Sequence, residues 1–136
     1  LVPVSYSRDV PVIAHAKSMI FSIVDMQTGR EAGELALRIG ESPCMFYLGH
    51  IGYHIDPPYR GRNGAYHACR MALPLLQDMG LRTLVITTDD DNLPSIRTCE
   101  KLGCVLECTV DVPPAIQREY EISARKRRYI WTTGIE

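Results

Sequence analysis

Residues 47–69 read Tyr-Leu-Gly-His-Ile-Gly-Tyr-His-Ile-Asp-Pro-Pro-Tyr-Arg-Gly-Arg-Asn-Gly-Ala-Tyr-His-Ala-Cys, a pattern of strand, tight loop and helix. Alternation over residues 47–56 puts Gly49, Ile51, Tyr53 and Ile55 on one side and Leu48, His50, Gly52, His54 and Asp56 on the other. Pro57 and Pro58 end the strand, because proline has no ladder donor and restricts the residue before it. Arg60, Gly61, Arg62, Asn63, Gly64 and Ala65 follow, and small residues run straight into a helix. Its apolar stripe is Ala65, Ala68, Cys69, Ala72, Leu75, Leu76 and Met79. Pro74 predicts a kink and Gly80 a C-cap. A loop without bulky side chains lets main-chain N–H groups approach a ligand. The unpaired N–H groups of the first turn and the positive end of the helix dipole point at the same spot, which makes an anion site suited to phosphate. The plain alternative is a surface turn before a helix.

The loop is neither a P-loop, which needs Gly-x4-Gly-Lys-Ser/Thr, nor a dinucleotide fingerprint, since Gly61 and Gly64 lack the Gly-x-Gly-x-x-Gly spacing. A second stretch narrows the choice. Residues 84–88, Leu-Val-Ile-Thr-Thr, read as a buried strand. Asn92, Ser95 and then Glu100, Lys101, Leu102 and Gly103 follow in a helical frame. Asn92 suits an N-cap, and Pro94 is tolerated in the first turn.

Taken together, these two stretches resemble the GNAT superfamily of N-acyltransferases. Its pyrophosphate loop reads Arg/Gln-x-x-Gly-x-Gly/Ala, matched by Arg60 and Ala65 with Asn63 where Gly is usual. Asn tolerates left-handed backbone angles, so the departure is mild. The Asn-x-x-Ser start and Glu-Lys-Leu-Gly end of the next helix match in register, with Cys104 in place of the usual Phe. The resemblance covers residues 18–112. It implies an α/β (α+β) fold with a mixed, mostly antiparallel central sheet, two splayed parallel strands and flanking helices. It also implies acetyl-CoA as co-substrate, without a metal, and acyl transfer to a small-molecule or peptide amine. The non-catalytic alternative is a CoA-binding sensor or partner domain of the same fold. A third reading is another phosphate ligand at the same helix start.

On that resemblance the pantetheine enters between the strands at 47–56 and 84–88. Main-chain groups of Tyr53 and Ile55 would pair with it, and one amide would hold the thioester oxygen as an oxyanion hole. Gly49 or Gly52 marks a bulge that opens the gap. Arg60, Gly61, Arg62, Asn63, Gly64, Ala65 and Asn92 complete the cofactor set. The amine must lose a proton, and the candidate bases are His54, His50, Glu34 and Asp89, because a histidine titrates near neutral pH. The superfamily's tyrosine, which protonates the leaving thiolate, would fall at position 99. Cys99 stands there, so the candidate acids are Cys99 and Ser95, and the CoA thiolate can also leave unassisted.

The rest of the chain bounds these readings. The expectation for 136 residues, 46% hydrophobic and 23% charged, is a single acyltransferase-like domain over residues 1–136. Only 59 residues precede Arg60, so the family's N-terminal helical part would be shortened or missing. A net charge of −1 calls for neither nucleic acid nor an anionic membrane. No run is long or apolar enough to span a bilayer. No signal peptide is visible, and the expected location is cytoplasmic; a homodimer is left open. Cys44, Cys69, Cys99, Cys104 and Cys108 make an odd set without Cys-x-x-Cys, which points to reduced thiols and against a zinc ribbon.

Residues 1–17 read as a short strand or extended arm. Residues 19–26 and 32–39 form a hairpin by alternation around Thr28, Gly29 and Arg30, with Leu35, Leu37 and Ile39 opposed to Glu34, Ala36 and Arg38. Residues 104–112 read as a strand and 115–124 as a long loop. Residues 129–132 form the last strand, after a basic run at Arg125, Lys126, Arg127 and Arg128 that reads as a solvated charge run, with binding of an acidic substrate or the adenosine phosphate as the alternative.

Overall fold

Strands β2 (Lys17–Val24) and β3 (Glu31–Ile39) form the hairpin that alternation predicts. Its turn is closed by Asp25, whose N–H donates to the Arg30 carbonyl and whose carbonyl accepts from Gly29 N–H. The computed structural model describes residues 2–4 and 17–134. Strand β1 (Val2–Val4) pairs with β2; the rest of the predicted arm, residues 5–16, lies outside the described residues.

The remaining elements are α1 (Met45–Leu48), β4 (Ile51–Ile55), a 3-10 turn (Pro57–Tyr59), α2 (Gly64–Asp78), β5 (Thr83–Asp89), α3 (Leu93–Lys101), β6 (Val105–Asp111), α4 (Pro114–Tyr120) and β7 (Arg125–Thr132). They build one mixed sheet in the order β1-β2-β3-β4-β5-β7-β6. Among the described residues only β4 and β5 run parallel; the other pairs are antiparallel. This is the predicted fold class. Among the described residues no helix is long and apolar enough to cross a membrane.

The core lies between the sheet and helices α2 and α3. Leu35, Leu37, Ile51, Leu84 and Ile86 from the strands meet Ala68, Cys69 and Leu76 of α2 and Ile96 and Cys99 of α3. Small residues early in α2 let that helix sit close on the sheet, as the stripe predicts. Helix α2 runs through Pro74, and Gly80 follows its end with φ +75.

Three expectations change. Residues 47 and 48 belong to helical turn α1, so the strand begins at Ile51 rather than at Tyr47. Ser42 Oγ accepts the Met45 N–H at 3.2 Å, and Gly49 at φ +76 redirects the chain into β4. A short turn whose residues happen to alternate is hard to tell from a strand. Residues 114–120 are helix α4, not loop; it buries no residue, so it carries no apolar stripe to read. The basic run lies inside β7 and is paired rather than simply solvated. Lys126 Nζ is 2.8 Å from Asp89, Arg127 Nε 2.8 Å from Asp90 and Arg128 Nε 2.8 Å from Glu107. The hydrogen bond from Arg128 holds the Glu107 carboxyl below the usual range.

All five cysteines are free; Cys69 and Cys99 are buried. Thiol counting in denaturant, without reductant, should therefore return five. A count of three or fewer from fresh protein would instead show a disulfide-bonded, oxidised domain.

Candidate active site

Parallel strands β4 and β5 stay together for only one registered pair, Ile51 with Ile86. The junction is braced where they meet. His50 N–H donates to the Val85 carbonyl at 2.7 Å, and Val85 N–H donates to His50 Nδ1 at 2.9 Å. Thr87 Oγ1 donates to the Leu48 carbonyl at 2.9 Å. Gly49 makes this approach feasible, since a Cβ there would lie 3.0 Å from Thr87 N and the Val85 carbonyl. Beyond Ile51 the strands part, and a cleft of about 400 Å³ opens between them.

Asp56 N–H bonds the Ala32 carbonyl of β3. In an antiparallel ladder alternate residues turn their main-chain groups to one neighbour, so those of Tyr53 and Ile55 turn toward the gap. The Ile55 carbonyl is engaged by Arg60 Nε at 2.9 Å. Tyr53 offers the cleft more than its main chain. Its phenol reaches 2.9 Å from Ser95 Oγ and 3.8 Å from Cys99 Sγ, linking β4 to α3. Burial, and then the neighbouring Cys99 thiol, push the phenol above its ordinary range. Alternation alone marked Tyr53 as sharing a face with Ile51. Its reach to a helix more than forty residues later is a tertiary fact.

The cleft passes through the sheet, and alternation along each strand sorts its lining. Tyr53, Thr88, Asn92 and Ser95 lie on the helix side; Glu34, Arg38, Gly52, His54, Thr87, Asp89 and Lys126 lie on the opposite side. The Thr88 hydroxyl is buried and has no hydrogen-bond partner among the described residues. Asn92 caps α3, its side chain accepting the Ser95 N–H at 3.3 Å. His54 is exposed, with Nε2 at 3.7 Å from Asp56. Burial of Asp89 disfavours its charge, but the hydrogen bonds from Lys126 and Ser123 outweigh that and hold its carboxyl below the usual range.

Of the sequence-predicted residues, the cleft thus gathers Tyr53, His54, Asn92 and Ser95, with Glu34 and Asp89. Cys99 is fully buried beneath it. A side-chain hydrogen bond with Cys104 holds its thiol below the ordinary range, against burial and with help from Tyr53. His50 lies outside, in a second hollow with Glu41, Phe46 and Arg128. Its Nδ1 accepts from Val85, so Nε2 carries the proton and donates to Glu41 at 2.6 Å.

The anion loop also stands outside the cleft lining, at the start of α2. Asn63 is left-handed at φ 57 and precedes the helix without a side-chain cap bond. Gly61 has φ +84. Residues 60–63 are exposed, and Gly64 and Ala65 are buried where the helix meets the sheet. No acidic residue occupies the first turn.

The chain belongs to the GNAT acetyltransferase family: the family model described as Acetyltransferase (GNAT) domain matches residues 8–105. Solved structures share the fold. The ribosomal-protein-S5-alanine acetyltransferase from Vibrio fischeri is 20% identical with TM-score 0.67, over 86% of this chain and 62% of that one. The microcin C7 self-immunity acetyltransferase MccE, in complex with acetyl-CoA and AMP, is 20% identical with TM-score 0.66, over 85% and 61%. A spermidine N-acetyltransferase SpeG chimera from Vibrio cholerae and hSSAT is 16% identical with TM-score 0.63, over 85% and 67%. At such identities the likeness concerns the fold. The chain spans about 62% of the length of the first of these structures. No curated protein matches it in sequence.

Proposed function

We propose that the chain transfers an acetyl or related acyl group from acyl-CoA to an amine by direct attack in a ternary complex. The parting of β4 and β5 after a single registered pair carries this reading. It turns Tyr53 main-chain groups, and the Thr88 hydroxyl that has no partner among the described residues, along a cleft. The fold relative MccE was solved with acetyl-CoA, and a pantetheine arm is of a shape to lie in such a gap. The α2 start, with Asn63, Gly64 and Ala65, would take the pyrophosphate. Free thiols are what a reducing, cytoplasmic setting calls for, and this supports that location for the reaction.

His54 lies across the sheet from Ser95 and takes the proton of the amine, directly or through water. Attack at the thioester carbonyl forms the C–N bond as the C–S bond breaks. The amine proton goes to the base, and the departing sulfur receives one from the hydroxyl pair of Tyr53 and Ser95. A main-chain N–H at the gap stabilises the oxyanion.

Release of free CoA thiol from acetyl-CoA, with a panel of amines, tests the reaction. Binding without turnover would leave a CoA-binding module of the same fold. Gly64→Asp tests the loop. It puts a side chain and a negative charge at the helix start, so CoA affinity by calorimetry should fall at least about tenfold, or ~1.4 kcal/mol. Unchanged affinity in a folded variant would refute the pyrophosphate assignment.

A further inference from the structure

Arg38 lies on β3, on the side of the sheet away from α2 and α3, and lines the cleft. Its guanidinium folds flat over Gly52 of β4: a Cβ on Gly52 would come 2.9 Å from Nη2 and 3.2 Å from Nη1. Nη1 donates to the Leu48 and Gly49 carbonyls at 3.2 and 3.3 Å. Nε and Nη2 have no hydrogen-bond partner among the described residues, and no carboxylate there pairs with the group. The other cation of the cleft, Lys126, is matched by Asp89 at 2.8 Å. Burial lowers the Arg38 pKa. A half-buried cation without a counter-ion is costly to keep. The edge left open, Nε with Nη2, is the parallel fork that matches both oxygens of a carboxylate.

We propose that Arg38 receives a carboxylate of the acceptor, so that the substrate class is a small amino acid and not a simple amine or polyamine. This rests on the acyl-transfer reading. Gly52 is paired with Ala36, and His54 with Glu34. The guanidinium over Gly52 is therefore one alternate row from His54, roughly 7 Å along the strand. Amine and carboxylate of an α- or β-amino acid fit that interval once a hydrogen bond is added at each end. A carboxylate on the acyl group of a dicarboxylic acyl-CoA offers the same chemistry from the donor side.

The test compares each amino acid with its own carboxamide, using acetyl-CoA turnover and wild-type, Arg38→Gln and Gly52→Ala proteins. The wild type should favour the acid. Arg38→Gln should raise KM for the acid about 10- to 100-fold, as for loss of a charge-assisted hydrogen bond, and leave the carboxamide within about threefold. Gly52→Ala keeps the charge but displaces the guanidinium, and should erode the same preference. Equal use of acid and carboxamide by the wild type overturns the proposal. So does an equal loss on both in Arg38→Gln, which is the mark of a brace for Leu48 and Gly49. A preference for succinyl-CoA over acetyl-CoA that disappears in Arg38→Gln assigns the carboxylate to the donor instead and overturns the acceptor class. Calorimetric binding of an N-acetylamino acid against its N-methylamide needs no turnover. Absence of turnover with every amine would sink the acyl-transfer reading, while tighter binding of the acid there would still uphold the Arg38 site.

Discussion

Ile51→Ala should lower the unfolding free energy by about 2–5 kcal/mol, as deletions of fully buried aliphatic side chains do. Ile51 is 1% exposed and belongs to the buried cluster with Leu37, its partner across β3, and Ile86, its partner on β5. It is the one residue at which the two diverging strands are in register. A void there removes packing from both strands at once, and the neighbouring braces at His50 and Thr87 hinder collapse around it. Ile55→Ala is the control, since Ile55 is only half-buried beyond the point of parting and should cost less than half as much. Urea unfolding with an unchanged slope gives both numbers. A loss below about 1 kcal/mol at Ile51 would mean that the junction is held by its hydrogen bonds instead.

The same junction separates what was legible in the sequence from what was not. Hairpin β2–β3 was readable because one face packs on the core through Phe21, Ile23, Leu35 and Leu37, which sets Leu35, Leu37 and Ile39 opposite Glu34, Ala36 and Arg38. Helix α3 was readable from Asn92 and Ser95, whose cap bond forms as the spacing predicts. Turn α1 was not, because Tyr47 and Leu48 continue the alternation of the strand that follows. The fate of Arg125, Lys126, Arg127 and Arg128 depends on β7 pairing with β5, out of chain order. No local pattern says that Asp89 and Asp90 will stand opposite. In the cleft, residue types were readable while their roles were not: His50 and His54 look alike in sequence, yet one is bound to a strand N–H and the other faces the cleft.

Tyr53→Phe should reduce the single-turnover rate of acyl transfer about 100-fold or more, the usual scale of general acid catalysis, while CoA affinity stays nearly unchanged. An interaction made only in the transition state behaves in that way. Position 99, where the resemblance puts the acid, holds a thiol that is fully buried and does not line the cleft. The phenol of Tyr53 reaches that same spot from the opposite strand and is hydrogen-bonded to Ser95, which does line it. Ser95→Ala keeps the phenol and should cost less. Cys99→Ala should keep turnover per folded molecule and lose about 1 kcal/mol of stability, as a small buried hydrophobe does. The pH dependence separates the two acids. An acid must be protonated, so the rate is lost above its pKa. Burial raises the Tyr53 phenol above its ordinary 10.0, so the wild-type rate should not fall between neutrality and pH 10 on its account. Cys99 is held below the ordinary 9.0 of a thiol, so a Cys99 acid would cost rate already below pH 9. An early alkaline loss that vanishes in a Cys99 variant, with Tyr53→Phe near wild type, would move the acid back to the thiol. A flat profile with a large loss in Tyr53→Phe would show a phenol delivered from β4 in place of one from α3.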